Sequence, residues 1–211
     1  MMRNNLLPVS QAGFKAIGCG VVLLVLTIFL DFDFLSLVLF IATTLLIFVY
    51  RNPEREILAF QEQSVLSPVD GKVVSIENIQ DSEYAYKITI NSSYTDIGVL
   101  RVPMNSVIEK INLVRGAKLA QNTLLASKIN ENSALIFKDS LLNRVKVTHI
   151  LKQSFADISI STVEAQNVLQ TTRYGFMTNG LSTLYLPHNF RVNVSVGKEV
   201  IASETLIGYF S

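Results

Sequence analysis

Between Lys15 and Asp31 the chain carries no charged side chain, and from Phe34 to Tyr50 it carries none again. Only Asp31-Phe32-Asp33 separates the two apolar runs. A helix that crosses a bilayer needs about 20 apolar residues, with about 17 as the lower end. Phe34–Tyr50 meets that lower end, and Ala12–Leu30 meets it when the aliphatic stem of Lys15 carries its ammonium back to the interface. A three-residue connector is too short for a folded loop, so residues 1–50 are expected to form a two-helix transmembrane hairpin. A cleaved signal peptide would show a small-x-small site and no second apolar run, and the chain fits neither condition. A helical hairpin buried in a soluble core is the remaining alternative.

Charge sets the orientation. Arg3 and Lys15 precede the first run, Arg51 and Arg55 follow the second, and the connector has no basic residue. Basic flanks stay on the cytoplasmic side, so residues 51–211 are expected to hang from the inner face of the cell (inner) membrane. Arg51 and Arg55 also suit anionic headgroups, at about 1 kcal/mol each near the surface. The single cysteine, Cys19, lies inside the first run, which excludes a disulfide framework and a cysteine-built metal site. A net charge of +1 with dispersed basic residues argues against nucleic-acid binding.

Beyond Val65 the dominant period is two. Lys72-Val-Val-Ser-Ile-Glu-Asn-Ile alternates, as do Tyr84-Ala-Tyr-Lys-Ile-Thr-Ile, Arg144-Val-Lys-Val-Thr-His-Ile and Asp157-Ile-Ser-Ile-Ser-Thr-Val. Such β-branched alternation, broken by Asp-Gly and Asn-Gly turns, reads as half-buried strands. Residues 65–211 are therefore expected to form one all-β domain, closed as a barrel or packed as a sandwich. Residues 51–64 form the junction, with a short amphipathic helix expected over 54–63. Ser67-Pro-Val-Asp-Gly-Lys-Val-Val and Val196-Gly-Lys-Glu-Val-Ile-Ala-Ser-Glu-Thr-Leu-Ile-Gly echo one another and resemble the hammerhead strands of biotinyl and lipoyl carrier domains. No lysine with the flanking residues of a modified carrier lysine accompanies them, so the likeness concerns architecture.

Several segments, in order, resemble the phosphatidylserine decarboxylases, particularly their short membrane-anchored form. Tyr50-Arg-Asn-Pro-Glu-Arg follows the two apolar runs, and Ser67-Pro-Val-Asp-Gly-Lys-Val comes next. Asp96-Ile-Gly-Val-Leu-Arg-Val-Pro is similar to a family pattern "D-V-H-x-x-R-x-P", and Arg173-Tyr-Gly-Phe-Met-Thr-Asn-Gly to "R-x-G-x-[IM]-x-F-G-S". Leu184-Tyr-Leu-Pro and the Val196–Gly208 segment complete the series. The resemblance implies a proenzyme that cuts itself before a serine and turns that serine into a pyruvoyl group. The pyruvoyl carbonyl then forms a Schiff base with the serine headgroup and draws electrons as carbon dioxide leaves. It also implies a self-cleavage triad in which an Asp orients a His and the His takes the serine proton.

Carried onto this chain, the resemblance makes Asp70 the triad aspartate, although Asp-Gly is also a good turn dipeptide in its own right. The family histidine falls on Gly98, which has no side chain to accept a proton. Of the two histidines, His149 lies in an alternating strand and reads as a surface or satisfied core residue. His188, in a loop after Pro187, is then the substitute base. The cleavage region Gly180-Leu181-Ser182 aligns in two ways. Matching Gly180 to the family glycine puts Leu181 in the nucleophile's place, whereas matching Ser182-Thr183 keeps the nucleophile but puts a leucine before the cut. Leucine resists backbone geometry that glycine tolerates. Arg101 and Arg173 stand in family positions and can meet a phosphate or carboxylate bidentately; the alternative is that they are solvated strand residues.

These readings favour a degenerate relative over an active enzyme. It would bind membrane phospholipids through an aminophospholipid headgroup, as a homo-oligomer or paired with a working decarboxylase. The alternative is an active decarboxylase making phosphatidylethanolamine through a pyruvoyl group formed at Ser182. No metal and no dissociable cofactor is expected.

Overall fold

The computed structural model describes residues 7–55, 61, 63–81, 83–120 and 124–211. The chain divides into two compact units, residues 5–54 and a second running from Arg55 to Ser211. The helix expected over 54–63 falls largely outside the described residues.

In the first unit a 3-10 turn, Gln11–Gly13, leads into α1 (Phe14–Phe29), which a short connector joins to α2 (Asp33–Val49). The two helices meet where α1 is smallest: a Cβ added at Gly20 would lie 2.8 Å from Thr43 Oγ1. Small residues allow such close approach. The threonine hydroxyls are satisfied within their own helices, Thr27 Oγ1 donating to Leu24 O at 2.9 Å and Thr44 Oγ1 to Phe40 O at 2.8 Å. Large apolar side chains, among them Val22, Phe29, Phe34 and Phe40, point outward. A helix that is apolar all round needs an apolar environment. The helical stretch Gln11–Phe29, 19 residues, is long and apolar enough to cross a membrane, whereas Asp33–Val49 is shorter.

The second unit is built almost entirely of strands. They are β1 (Ser64–Leu66), β2 (Gly71–Asn78), β3 (Tyr86–Ser92), β4 (Val99–Arg101), β5 (Ser106–Val114), β6 (Asn132–Lys138), β7 (Arg144–Leu151), β8 (Ser159–Ile160), β9 (Asn167–Val168), β10 (Arg173–Phe176), β11 (Gly180–Leu186), β12 (Phe190–Val192), β13 (Glu199–Val200) and β14 (Leu206–Phe210). A short helix, α3 (Leu124–Ile129), stands between β5 and β6.

Eight strands pair in the order β13-β2-β3-β11-β7-β6-β5-β9, and two three-stranded sheets run β1-β14-β12 and β4-β10-β8. The expected barrel is not formed. Closure would require the outer strands of the large sheet to pair with each other, and these are the two-residue strands β13 and β9 at opposite ends. One apolar core draws on all three sheets. Ile88, Ile90, Val147 and Leu184 come from the large sheet, Val65, Phe190 and Ile207 from one small sheet, and Leu100 and Tyr174 from the other. Their burial follows from alternation: β6 and β7 bury every second residue. The two echoing sequence segments lie together, with Lys72 opposite Glu199 and the Ser67 N–H donating to Thr205 O.

Candidate functional site

Strand β11 sits in the middle of the large sheet, between β3 and β7, and its alternation divides the cleavage region between two faces. One row across the sheet reads Val73, Ile90, Ser182, His149, Ser133 in register, and every member is buried. The neighbouring row reads Lys72, Asn91, Leu181, Ile150, and these residues are exposed or half-buried. Ser182 therefore points into the core and Leu181 points out. Because side chains alternate with a strict period of two, no small adjustment exchanges them.

In the core, His149 Nδ1 lies 2.7 Å from Ser182 Oγ, and His149 Nε2 lies 2.7 Å from the Tyr174 hydroxyl. All three residues have zero solvent exposure. Burial pushes the imidazole pKa down to about 3 and holds the Tyr174 phenol well above its usual range, so both are neutral at pH 7. Two tautomers serve this chain of contacts. Only the one with its proton on Nε2, donated to Tyr174, leaves Nδ1 to accept from the Ser182 hydroxyl. Of the two histidines, it is His149 that contacts Ser182. His188 is exposed on a loop, with Nε2 3.1 Å from Asp81 O. The usable sequence signal was the alternation of Val145-Lys-Val-Thr-His-Ile-Leu, which puts His149 on the face of Val145, Val147 and Leu151.

Asp70 closes the turn before β2. Its carboxylate Oδ2 accepts from Arg55 Nη2 at 2.6 Å, and Oδ1 accepts from the Ala202 N–H at 2.8 Å. Burial raises its pKa, against the Ala202 N–H and the Arg55 guanidinium, which lower it. Its backbone carbonyl accepts from Ser92 Oγ at 2.5 Å, and Ser92 is the register partner of Gly180. Asp70 is thereby held at the Gly180 end of β11. Gly71 must be glycine, since it has φ +152 and an added Cβ would lie 2.3 Å from Asn91 O.

Gly98 is also near this end, accepting at its carbonyl from the Met177 N–H at 2.7 Å. A Cβ there would meet Met177 O at 2.6 Å and the Phe176 ring at 2.9 Å. Arg101 and Arg173 are register partners in the β4–β10 pair. Arg101 is buried, donates to Thr171 O at 3.3 Å and helps to lower the Asp70 pKa.

Outside the sheet face, Asp70, Lys72, Asn91, Ser93, Asp96 and Glu199 are among the residues lining a cleft of about 330 Å³. Lys152 borders the same end: its backbone N–H donates to Asn179 O at 3.1 Å and its Nζ donates to Asn91 Oδ1. Among the described residues no group of three His, Cys, Asp or Glu side chains is placed to hold a metal ion.

The family model described as phosphatidylserine decarboxylase matches residues 43–208. Similar curated proteins are phosphatidylserine decarboxylase proenzymes. That of Desulfotalea psychrophila is 25% identical over 207 residues, covering 95% of this chain and 96% of the relative. That of Geotalea uraniireducens is 26% identical over 211 residues, covering 98% and 99%. That of Burkholderia ambifaria is 31% identical over 170 residues, covering 77% and 79%.

Proposed function

The chain belongs to the phosphatidylserine decarboxylase family, and from that premise we propose that it is a phospholipid-metabolism protein that binds an aminophospholipid headgroup without cutting itself. The observation that carries this reading is the division of faces at β11. With Gly180 matched to the family glycine, the nucleophile's place, on the outer sheet face that Leu181 shares with Lys72 and Asn91, belongs to Leu181, which has no hydroxyl. Ser182, one residue on, is turned into the core and bonded to His149.

Two further observations support it. The Phe176 ring occupies the space that a side chain at Gly98 would need. Both oxygens of Asp70 are taken, by Arg55 and by Ala202, so the aspartate serves as a tie between chain segments. These residues do not fit a pyruvoyl group on the outer face of β11. The helical unit supports a membrane location, and we place both ends of the chain on the cytoplasmic side by the arginines that flank it.

A second reading has one observation in its favour: Ser182 Oγ and His149 Nδ1, 2.7 Å apart, have the spacing of a nucleophile and its base. In that reading the chain cuts itself before Ser182 and is an active decarboxylase. The intact mass of the detergent-solubilised full-length protein separates the two. An uncut 211-residue chain is expected. A 30-residue C-terminal fragment starting at position 182, blocked at its N-terminus, would overturn the proposal.

A further inference from the structure

Lys152 is half-buried at the Gly180 end of the sheet, and no carboxylate among the described residues pairs with it. Its ammonium has the side-chain carbonyl of Asn91 as its partner, and burial lowers its pKa. A partly desolvated cation with only a neutral partner is an incomplete arrangement, and an anion completes it. Lys72 lies on the other side of Asn91, as its register partner on β2. It is exposed, lines the cleft and makes no ion pair among the described residues. Asn91 lines the cleft and stands between the two lysines, with Lys72 as its register partner and Lys152 Nζ bonded to its side-chain carbonyl.

The cleft also carries the opposite sign. Asp96 and Glu199 line it, and Asp96 Oδ2 is fixed in place by the Ser93 N–H at 2.8 Å and the Ser93 hydroxyl at 2.9 Å. Separated cationic and anionic groups around one opening match a zwitterion that holds its phosphate and its ammonium a few bonds apart.

We propose that Lys72 and Lys152, set on either side of Asn91, grip the phosphodiester of an aminophospholipid headgroup, with Asp96 receiving its ammonium. This rests on the headgroup-binding reading above and assigns residues to it. The same chemistry would attract inorganic phosphate, so both ligands belong in the test. The full-length protein in phosphate-free detergent is titrated calorimetrically with dihexanoyl phosphatidylserine and, separately, with inorganic phosphate.

The wild type is expected to bind the lipid more tightly than phosphate. Lys152→Met and Lys72→Met should each weaken lipid binding by about tenfold, the usual effect of losing one charge-assisted hydrogen bond. Lys152→Arg should keep most of it. Lipid binding that survives both methionine substitutions unchanged would overturn the lysine assignment while leaving headgroup binding intact. Phosphate binding as tight as lipid binding would make this a free-phosphate site and overturn the lipid assignment. A wild type that binds no lipid would overturn both.

Discussion

His149 and Ser182 face each other across β7 and β11 on the buried side of the large sheet, with Nδ1 2.7 Å from Oγ. A serine and a histidine at this distance are usually read as nucleophile and base. On the reading proposed above, they take another role. Both residues are fully buried, and each lies within a paired strand. The Leu181–Ser182 peptide is part of a regular ladder, with Leu181 opposite both Asn91 and Ile150. The contact therefore works as a polar peg inside an apolar core. It fixes the register of two strands and, through Tyr174, ties the large sheet to a small one.

This arrangement makes stability depend on pH. In the unfolded chain His149 takes up a proton near its ordinary pKa of 6.5, whereas in the folded protein burial delays uptake to about 3. Between those values the unfolded state binds the extra proton, so stability rises with pH and is lost as pH falls below 6.5. The slope reaches about 1.4 kcal/mol per pH unit within that window. Denaturant titrations at pH 4.5 to 7.5 should show it, and His149→Gln should flatten it. Asp70 acts in the opposite sense, because its raised pKa costs stability as pH rises, but it is common to both proteins and cancels in the difference. Equal slopes for the two proteins would exclude a buried neutral His149.

Arg55 and Asp70 should be energetically coupled. Both side chains are largely buried, at 14% and 12% exposure, and their atoms approach to 2.6 Å. Arg55→Ala leaves the carboxylate with the Ala202 N–H and should destabilise the protein by about 2 kcal/mol. Asp70→Asn in the Arg55→Ala background should cost much less than in the wild type, because the unpaired charge has already been created. Additive costs in this double-mutant cycle would show that the tie carries no energy.

The strands β2, β3 and β7 were legible because the segments Lys72–Ile79, Tyr84–Ile90 and Arg144–Ile150 alternate in sequence, whereas β6, β11 and the order in which the strands pair were not. The turn residues Asp70-Gly71 and Asn179-Gly180 were equally plain. The contact of His149 with Ser182 was not, since the residues are 33 positions apart and only the sheet register brings them together. Alternation left His149 as either a surface or a satisfied core residue; the structure makes it a buried one, with partners that periodicity does not name. Gly98 showed in the sequence as a missing imidazole. That Phe176 fills the space depends on the pairing of β4 with β10 and was beyond the reach of local pattern. The expectation of a barrel failed for a related reason: the outer strands of the large sheet, β13 and β9, are two residues long, too short for periodicity to reveal.

Cys19 gives a direct test of the membrane assignment, because it is the only cysteine and lies in α1. In intact membrane vesicles it should resist a membrane-impermeant maleimide on either face and react once detergent is added. Phe32→Cys in a Cys19→Ala background should react from the extracytoplasmic face alone, since position 32 sits in the connector between the helices. Reaction of Cys19 in sealed vesicles, or reaction of the Phe32→Cys variant from the cytoplasmic face, would refute the two-span arrangement.

Restoring the family's imidazole at Gly98 should not restore self-cleavage. A side chain there meets two obstacles of different kinds: the Phe176 ring at 2.9 Å and the Met177 carbonyl at 2.6 Å. The ring can turn away, but the carbonyl belongs to the backbone beside the Met177 N–H bond to Gly98 O, 2.7 Å long. Gly98→His should therefore cost about 3 kcal/mol through overpacking, read as a lower denaturation midpoint, and leave the chain uncut by mass. Gly98→His with Phe176→Ala should recover part of the stability by vacating the ring's space, and it too should remain uncut. The reason lies one strand away. Leu181, on the outer face of β11, offers no hydroxyl to an added base, while the Ser182 hydroxyl stays on the core side with His149. Adding Leu181→Ser to the pair places a hydroxyl after Gly180 on the outer face. Of the three variants only this triple one should release a C-terminal fragment, beginning at position 181. Cleavage in the single variant would show that Ser182 reaches the outer face after all.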